Sequence, residues 1–285
     1  MRCFKLKYEE IISHLTFTGG ELPILSEIHI KYGARKEEAW ERYLAGDDSF
    51  KEYLDLCADE SGFSIGLLNL YFYLLFGEYT YEECKSRGIP DENFLSIMNA
   101  YPAVSILNFN QTKEYGFSLP IYRSFLRRYV GAKLFFLERL EFELCESPLD
   151  FEIEGRKVSK GETVLNVHIP RDLPFNEEIC EKSYARAKEF FRKHYGIETP
   201  VFICHSWMCD PWLEECLSES SAILNFQRKF AILQTDDDSD DAIGWIFGKK
   251  LDNINDYAED TTIRRAAKKK LLEGERIGTA LGARL

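Results

Sequence analysis

The chain has 285 residues, of which 45% are hydrophobic and 14% aromatic, and its formal net charge is -12 at pH 7. This composition supplies a sizeable buried core and excludes an intrinsically disordered chain, while the length suits two modest domains or one large one. Because an acidic surface repels phosphate backbones and anionic lipid, neither nucleic acid nor a membrane surface is an expected partner.

The start of the chain carries charge throughout and contains no apolar signal core, which favours a cytoplasmic, reducing location. The eight cysteines are scattered without a CxxC pair, so free thiols are expected. The longest apolar run, Leu67 to Phe76, is about half the length needed to cross a bilayer and predicts a buried helix.

Residues 1 to about 130 predict helices, because their apolar residues lack the alternation of strands and glycines separate the segments. A further helix start is indicated at Pro90 and Asp91, since proline suits the first helical position and acids suit the first turn. Residues 79–98 have the spacing of a DNA-binding helix-turn-helix, but the second helix offers acids and no Arg or Lys, which disfavours DNA binding. The other predicted helices span 8–15, 36–44, 49–57 and 64–76.

The pattern changes near residue 130. Residues 132–145 are rich in aromatic and aliphatic residues that alternate in the manner of strands. Residues 149–170 predict a hairpin followed by a strand, with turns at Gly155 and Gly161. We therefore predict two domains, a helical domain over 1–130 and an α/β domain over 131–285.

A helix with clear start and stop signals follows this strand. Asn176 is a good N-cap residue, and Gly196 is typical of a helix end. The apolar run over 200–206 predicts a buried strand, so strand, helix and strand form a βαβ unit whose strands are parallel neighbours. The remainder predicts a helix from about Asp210, a strand over 228–235, a helix from Ser239 and a last helix over 261–273, with no element assigned to the tail.

This βαβ unit brings candidate catalytic residues together. His168 ends the first strand, and Cys204, His205 and Ser206 end the second. Parallel strands end at the same edge of a sheet, where ligands bind in open α/β folds. A thiol beside an imidazole can become a thiolate nucleophile, and an imidazole can deprotonate an attacking amine. The simpler alternatives are a buried thiol and a histidine that bonds a backbone carbonyl.

Strand alternation limits how these residues combine. Cys204 and His205 are adjacent in one strand, so their side chains point to opposite faces of the sheet. His168 can therefore share a face with only one of them. The sequence leaves open which one.

Two metal-binding interpretations are weak. Cys204, His205, Cys209 and Cys216 contain ligand types that zinc prefers, but their spacing lacks the paired knuckles of structural zinc sites. The acidic run 236–241 resembles a calcium loop for three positions only, because it lacks the required glycine and the bidentate glutamate. We expect no metal.

The last predicted helix carries a basic patch on an otherwise acidic protein. Such cations could hold the phosphates of a nucleotide-like cofactor, although a solvated helix face is the simpler interpretation. Trp207 follows the second strand of the βαβ unit and is assigned to the wall of the same cofactor pocket. The basic candidates for cofactor binding are Arg264, Arg265, Lys268 and Lys269.

The glycine-rich tail approximates the phosphate loop of N-acetyltransferases, [QR]-x-x-G-x-[GA]. Glu275 stands where that loop has Gln or Arg, and Gly278 matches its glycine. Such a loop must leave a strand and open a helix so that the helix N–H groups face the pyrophosphate. The tail instead follows a helix, and we interpret the match as chance.

Six segments of the sequence occur in a recognisable order: RLEFEL, VLNVHIP, an amphipathic helix, FICHSWMCDP, SSAILNFQRKF and TTIRRAAKKKLLEG. In this order they resemble a bacterial acyltransferase family in which a helical N-terminal domain precedes a GNAT-like C-terminal domain. The segment GIPDENFL is similar to a helix start in the family's N-terminal domain. The resemblance is strongest over about 130–282.

The resemblance implies an α/β (α+β) fold with a GNAT-like mixed sheet, acyl-CoA as co-substrate without a metal, and transfer to an amine of a small molecule or peptide. In such enzymes the acceptor attacks the thioester directly, and the protein supplies a base, an oxyanion donor and a phosphate cradle. The base would be His168 or His205. The standard phosphate loop of these enzymes is not recognisable in this sequence.

Two other functions stay open. The chain could be a non-catalytic ligand-binding or regulatory module on a GNAT-like scaffold, since the sequence shows no complete catalytic set. It could also be a hydrolase or transferase that uses Cys204 as nucleophile with His168.

Overall fold

The computed structural model describes residues 6–17, 20–117, 125–170, 173–237 and 240–285. The chain divides into two compact units, residues 1–136 and 137–285. Three features of the sequence predictions lie outside these ranges: the helix start at Ser239, Asp238 of the acidic run, and Cys3, one of the eight cysteines.

The first unit is built from helices, as its sequence predicts. Its most apolar helix begins after Ser64, whose hydroxyl accepts a hydrogen bond from the N–H of Leu67 at 3.3 Å. Nine of the eleven residues in that helix are buried, because apolar side chains occupy every side of it. The helices are α1 (Tyr8–Ser13), α2 (Glu21–Tyr32), α3 (Lys36–Ala45), α4 (Asp47–Ser61), α5 (Ile65–Leu75), α6 (Gly77–Ser86) and α7 (Asp91–Thr112).

Across the ranges that the structure describes, no helix is both long enough and apolar enough to span a bilayer.

The strands form a mixed sheet with the order β1-β2-β5-β6-β8-β7 and a separate β3–β4 hairpin, and all of them except β1 lie wholly within the second unit. The predicted α+β architecture, helices first and a mixed sheet second, is confirmed. The strands are β1 (Leu134–Leu137), β2 (Leu140–Glu146), β3 (Phe151–Ile153), β4 (Arg156–Val158), β5 (Thr163–His168), β6 (Phe202–Ser206), β7 (Ala231–Asp236) and β8 (Thr279–Arg284). The helices are α8 (Glu177–Tyr195), α9 (Ala222–Gln227), α10 (Asp241–Phe247) and α11 (Thr262–Leu272).

Helix α8 has the predicted boundaries. The side chain of Asn176 accepts a hydrogen bond from the N–H of Ile179 at 3.0 Å, and Gly196 adopts a left-handed conformation with φ of 70° at the other end. The amphipathic stripe between them packs on the sheet through an aromatic cluster. The ring centroid of Tyr184 lies 5.6 Å from that of Phe142 and 4.9 Å from that of Phe202.

The opposite face of the sheet is covered by the β3–β4 hairpin over part of its length. Ile153 and Val158 of the hairpin pack with Val164 of β5 and Ile203 of β6 in one buried cluster. On this face, the residues of β5 beyond Val164 and those of β6 beyond Ile203 are not members of that cluster. The face therefore changes from apolar to polar toward the carboxyl ends of the two strands.

The predicted parallel arrangement of β5 and β6 is confirmed, and it is short. The two strands pair only at Leu165 with Phe202 and at Asn166 with Ile203. Beyond these pairs, β5 stays in register with β2 as far as His168, and β6 stays in register with β8 as far as Ser206. The sheet therefore opens between β5 and β6 at its carboxyl edge, and the opening is called the crevice from here on.

The tail forms a strand that the sequence prediction missed. Strand β8 lies between β6 and β7 and is antiparallel to both. Its small residues have low strand propensity, but they fit a crowded position: a Cβ atom at Gly282 would lie 2.8 Å from the Cβ of Phe230. Pairing with distant strands decided the conformation of this segment.

The helix predicted from about Asp210 is a short 3-10 helix, Pro211–Glu215. The side chain of Asp210 caps it by accepting a hydrogen bond from the N–H of Trp212 at 3.2 Å. Capping by Asp210 is therefore as predicted, while the helix that it starts is shorter and tighter.

An ion pair connects the last strand, β8, to α8. The guanidinium of Arg284 donates to both carboxylate oxygens of Glu181, at 2.8 and 3.1 Å, and lies 4.0 Å from the ring centroid of Tyr184. The hydrogen bonds from Arg284 are the main reason why the pKa of Glu181 lies below its ordinary value. A carboxylate of this kind adds stability above its unfolded pKa, about 4.3, and loses that contribution as the pH falls through the folded pKa.

We expect Glu181→Gln to lower the melting temperature at pH 7 and to matter progressively less as the pH falls below the unfolded pKa of about 4.3 and through the lower folded pKa of Glu181. Thermal unfolding of both proteins across this range measures the difference. Glu178→Gln is the matched control on the same helix, because the side chain of Glu178 is 76% exposed and its pair with Lys182 should contribute little. A pH-independent effect of Glu181→Gln would contradict the assignment.

Candidate active site at the carboxyl edge of the sheet

The two histidines predicted as bases lie on the same face of the sheet. Val164 and Ile203 belong to one cluster on this face. His168 lies four residues after Val164 on β5, and His205 lies two residues after Ile203 on β6, so both histidines point to the same face. Asn166 pairs with Ile203, two residues before each histidine, so the histidines stand level with each other across the crevice. The structure thus decides between the two combinations that the sequence left open.

A carboxylate holds the first histidine. His168 Nε2 lies 2.8 Å from Glu143 Oε2, and the two side chains are only 17% and 16% exposed. Because an ionised carboxylate only accepts hydrogen bonds, Nε2 carries the proton that is donated to Glu143. In the neutral imidazole the other nitrogen, Nδ1, is then the basic one.

Asn166 contacts both members of the Glu143–His168 pair. Its side-chain nitrogen lies 3.3 Å from Glu143 Oε2 and donates to it, and it lies at the same distance from His168 Nε2. The antiparallel register of β2 and β5 places Glu143 directly opposite Asn166. Neither Glu143 nor Asn166 was predicted from the sequence, although the alternation of β2 puts Glu143 on the polar face and could have indicated it.

A second contact holds the other histidine. His205 Nε2 lies 3.0 Å from the hydroxyl oxygen of Thr279, and Thr279 itself is 2% exposed. His205 is exposed at the end of β6. Thr279 is the first residue of β8, so it could not be found without recognising that strand.

Cys204 lies on the other side of the sheet. It is fully buried, and so is Cys209. A hydrogen bond with Cys204, together with burial, raises the pKa of the Cys209 thiol well above its ordinary value. A cysteine-based mechanism needs the thiol of Cys204 beside the imidazole of His168 or His205. The structure does not place Cys204 beside either of them.

The described cysteines are free thiols. Within the described ranges, no group of three or more His, Cys, Asp or Glu side chains is arranged to hold a metal ion.

The two arginines of α11 donate to residues that precede them in the chain. Arg264 donates to Asp260 at 2.9 Å and to the carbonyl of Ile246 at 2.9 Å, and Arg265 donates to the carbonyl of Glu259 at 2.8 Å. These contacts direct both guanidinium groups to local acceptors.

The two lysines differ from each other. Lys268 is 8% exposed and donates to the carbonyls of Asn255 at 2.7 Å and Tyr257 at 2.9 Å, which makes it a buried structural residue. The side chain of Lys269 is 76% exposed and lies 3.8 Å from Glu273. The four predicted cations therefore do not converge on one anion site. Trp207, by contrast, directly follows β6 at the carboxyl edge of the sheet.

The strands on both sides of the crevice continue beyond the end of the β5–β6 ladder. Residues Val167 and His168 of β5 keep their pairing with β2, and residues Cys204 to Ser206 of β6 keep theirs with β8. Their opposite backbone edges face the crevice, where the β5–β6 ladder has ended. An extended ligand with amide groups could form hydrogen bonds with these edges.

Known proteins resemble this chain in its second half and in its overall fold. The family model described as the GNAT-like C-terminal domain matches residues 134–284, which is more than half of the chain. No curated protein matches the chain.

Solved acyltransferase structures share the fold. One, in complex with decanoyl-CoA and teicoplanin, is 22% identical with a TM-score of 0.63 over 75% of this chain and 64% of that one. A mutant acyltransferase in complex with octanoyl-CoA is 21% identical with a TM-score of 0.64, over 76% and 65% of the two chains. The chain thus spans less than two thirds of the length of these proteins, and the likeness confirms the predicted fold.

Proposed function

Because the chain belongs to the family of the GNAT-like C-terminal domain, we propose that it is an acyltransferase that uses acyl-CoA as donor and an amine of a small molecule or peptide as acceptor. One observation carries the proposal: the crevice between β5 and β6 is flanked by a carboxylate-bound imidazole, His168 with Glu143. We further propose that residues 131–285 form the domain that carries this chemistry and that residues 1–130 form a separate helical domain.

The proposed donor, acyl-CoA, has hydrogen-bonding groups that suit the crevice. The pantetheine arm of CoA is an extended chain with two amide groups, and the diverging edges of β5 and β6 offer backbone hydrogen-bonding groups to such a chain. An arm bound there carries its thioester to the carboxyl edge of the sheet, beside His168. Trp207, which directly follows β6, is proposed as part of the wall of this donor site.

His168 is proposed as the general base. Its Nδ1 removes a proton from the acceptor amine as the amine nitrogen attacks the thioester carbonyl. The new C–N bond forms, the C–S bond breaks, and CoA leaves as a thiolate that then takes up a proton. Glu143 keeps the imidazole oriented and stabilises its protonated form during the transfer.

His205 is the second candidate base. Its contact with Thr279 orients the ring at the opposite side of the crevice, level with His168. The assignment of Arg264, Arg265, Lys268 and Lys269 to the cofactor stays a prediction, and their local pairings do not support it. Cys204 as nucleophile is likewise unsupported, because it is buried on the other face.

Acyl-CoA thioesters are expected to stabilise the protein against heat, because a ligand that binds the folded state alone adds about 2.7 kcal/mol at 100 times its dissociation constant. A thermal-shift series from acetyl-CoA to decanoyl-CoA measures this effect and the preferred acyl length. Free CoA and the matching fatty acid, mixed but not joined, are the control.

The same samples report turnover, since transfer to an added amine releases a CoA thiol that a thiol reagent detects. Stabilisation without thiol release from any tested amine would favour the non-catalytic binding module. The proposal fails if no acyl-CoA shifts the melting temperature and none is consumed.

A further inference from the structure

The hydroxyl of Thr279 lies where it can fix which nitrogen of His205 carries a proton. Thr279 is 2% exposed, and its Oγ1 lies 3.0 Å from His205 Nε2. Among the residues that the structure describes, this contact is the one hydrogen bond of that hydroxyl. The acceptor within reach of the hydroxyl proton is therefore the ring nitrogen of His205.

Burial decides the direction of this hydrogen bond. A hydroxyl donates one hydrogen bond and can accept two, and a buried donor without an acceptor costs more than an acceptor with a spare lone pair. If Nε2 of His205 donated to Thr279, the hydroxyl hydrogen would be buried without an acceptor. The hydroxyl therefore donates to Nε2, and the neutral imidazole carries its proton on Nδ1.

The two imidazoles at the crevice then have opposite tautomers. Nε2 of His168 donates to Glu143, which leaves Nδ1 of that ring basic. Nε2 of His205 accepts, which leaves its Nδ1 as an N–H donor. His205 is exposed, and its Nδ1 contacts no hydrogen-bond partner in the described parts of the chain. One ring is thus suited to removing a proton and the other to stabilising negative charge.

The positions of the two rings suit attack on a thioester. The rings lie on the same face of the sheet, level with each other on opposite sides of the crevice. Paired strands are about 4.8 Å apart, and the pairing of β5 with β6 ends at Asn166 and Ile203. A carbonyl group bound between the strands beyond that point has an imidazole on each side.

We propose that His205 is the oxyanion donor of the transfer and that Thr279 is the positioning residue that sets its tautomer. The inference rests on the proposed function and gives His205 a role other than that of a base. As the amine nitrogen bonds to the carbonyl carbon, the π electron pair of the C=O group moves to oxygen, and Nδ1–H of His205 donates to this oxyanion. When the C=O group re-forms, the C–S bond breaks and its electron pair leaves on the CoA sulfur. The Nδ1 proton stays on the ring throughout.

The variant His205→Asn separates a donor from a base. The side-chain nitrogen of asparagine is attached to Cγ, as Nδ1 is in histidine, so it places an N–H group near the same point but cannot take up a proton. We expect His205→Ala to lower kcat by a factor of about 10² to 10³, the usual effect of removing one oxyanion donor, and His205→Asn to restore most of that loss. Equal losses in the two variants would overturn the donor role and favour a base. Because His205 is exposed, both variants are expected to fold.

The variant Thr279→Val removes the hydroxyl and nearly keeps the shape of the side chain. It is expected to lower kcat with little change in KM, because the donor acts on charge that develops only in the transition state. Thr279→Ser keeps the hydroxyl and is expected to restore the rate. Thr235→Val is the matched control, since Thr235 is exposed on the neighbouring strand β7. Equal losses in Thr279→Val and Thr279→Ser would mean that Thr279 only packs, and the positioning role would be overturned.

Nitrogen NMR of protein labelled at its histidine nitrogens measures the tautomer without turnover. At about pH 8.5, where an ordinary imidazole is neutral, we expect the proton of His205 on Nδ1 in the wild type and no longer confined to Nδ1 in Thr279→Val. The signals of His205 are identified by their absence from His205→Asn. A wild type with this proton on Nε2 overturns the inference and leaves the proposed function intact. A wild type that consumes no acyl-CoA overturns both.

Discussion

Replacing His168 with alanine is expected to lower kcat/KM for acyl transfer by a factor of about 10² to 10⁴, the usual contribution of a positioned general base. The loss should fall mainly on kcat, because the imidazole acts on the proton of the attacking amine and not on the resting donor. Initial rates of CoA thiol release at saturating acyl-CoA measure it. Glu143→Gln keeps a hydrogen bond to His168 but removes the carboxylate, and it should give an intermediate loss.

The controls separate chemistry from general damage. His14 is an exposed histidine in the first unit, and His14→Ala should leave the rate unchanged. Cys204→Ala should retain turnover, whereas its loss with retained folding would revive the cysteine-based alternative. Full activity of His168→Ala would transfer the role of base to His205, and full activity of the double variant His168→Ala/His205→Ala would remove both assigned bases.

Replacing Leu165 with alanine is expected to lower the free energy of unfolding by about 2–5 kcal/mol, the usual effect of a Leu→Ala change in a core. Leu165 is fully buried at the centre of β5 and pairs with Phe202 of β6. The cavity would lie under the two strands that form the crevice. Urea unfolding, followed by circular dichroism, measures the change.

The same substitution at an exposed position is the control. Leu272 at the end of α11 is 53% exposed, and Leu272→Ala should change the free energy of unfolding by no more than about 0.5 kcal/mol. Equal effects of the two substitutions would mean that β5 is not part of the core. Since β5 carries His168, activity of Leu165→Ala should fall at a lower temperature than that of the wild type.

Local signals in the sequence were sufficient for much of the second unit. The cap at Asn176 and the stop at Gly196 bound α8 where predicted, because capping depends on residues within one turn. The hairpin turn at Gly155 is local in the same way. From the order strand, helix, strand, handedness rules then implied that β5 and β6 are parallel, which the structure confirms.

The sequence by itself therefore determined the two unlike halves, the βαβ unit and the edge of the sheet at which His168 and His205 end. Only the tertiary structure decided that His205, and not Cys204, shares a face with His168, because that depends on the register between two strands and not on the pattern within one. It also decided the partners Glu143 and Thr279, which come from strands β2 and β8. Strand β8 has little propensity of its own and exists because β6 and β7 offer it hydrogen bonds on both sides, an interaction that no local pattern can contain.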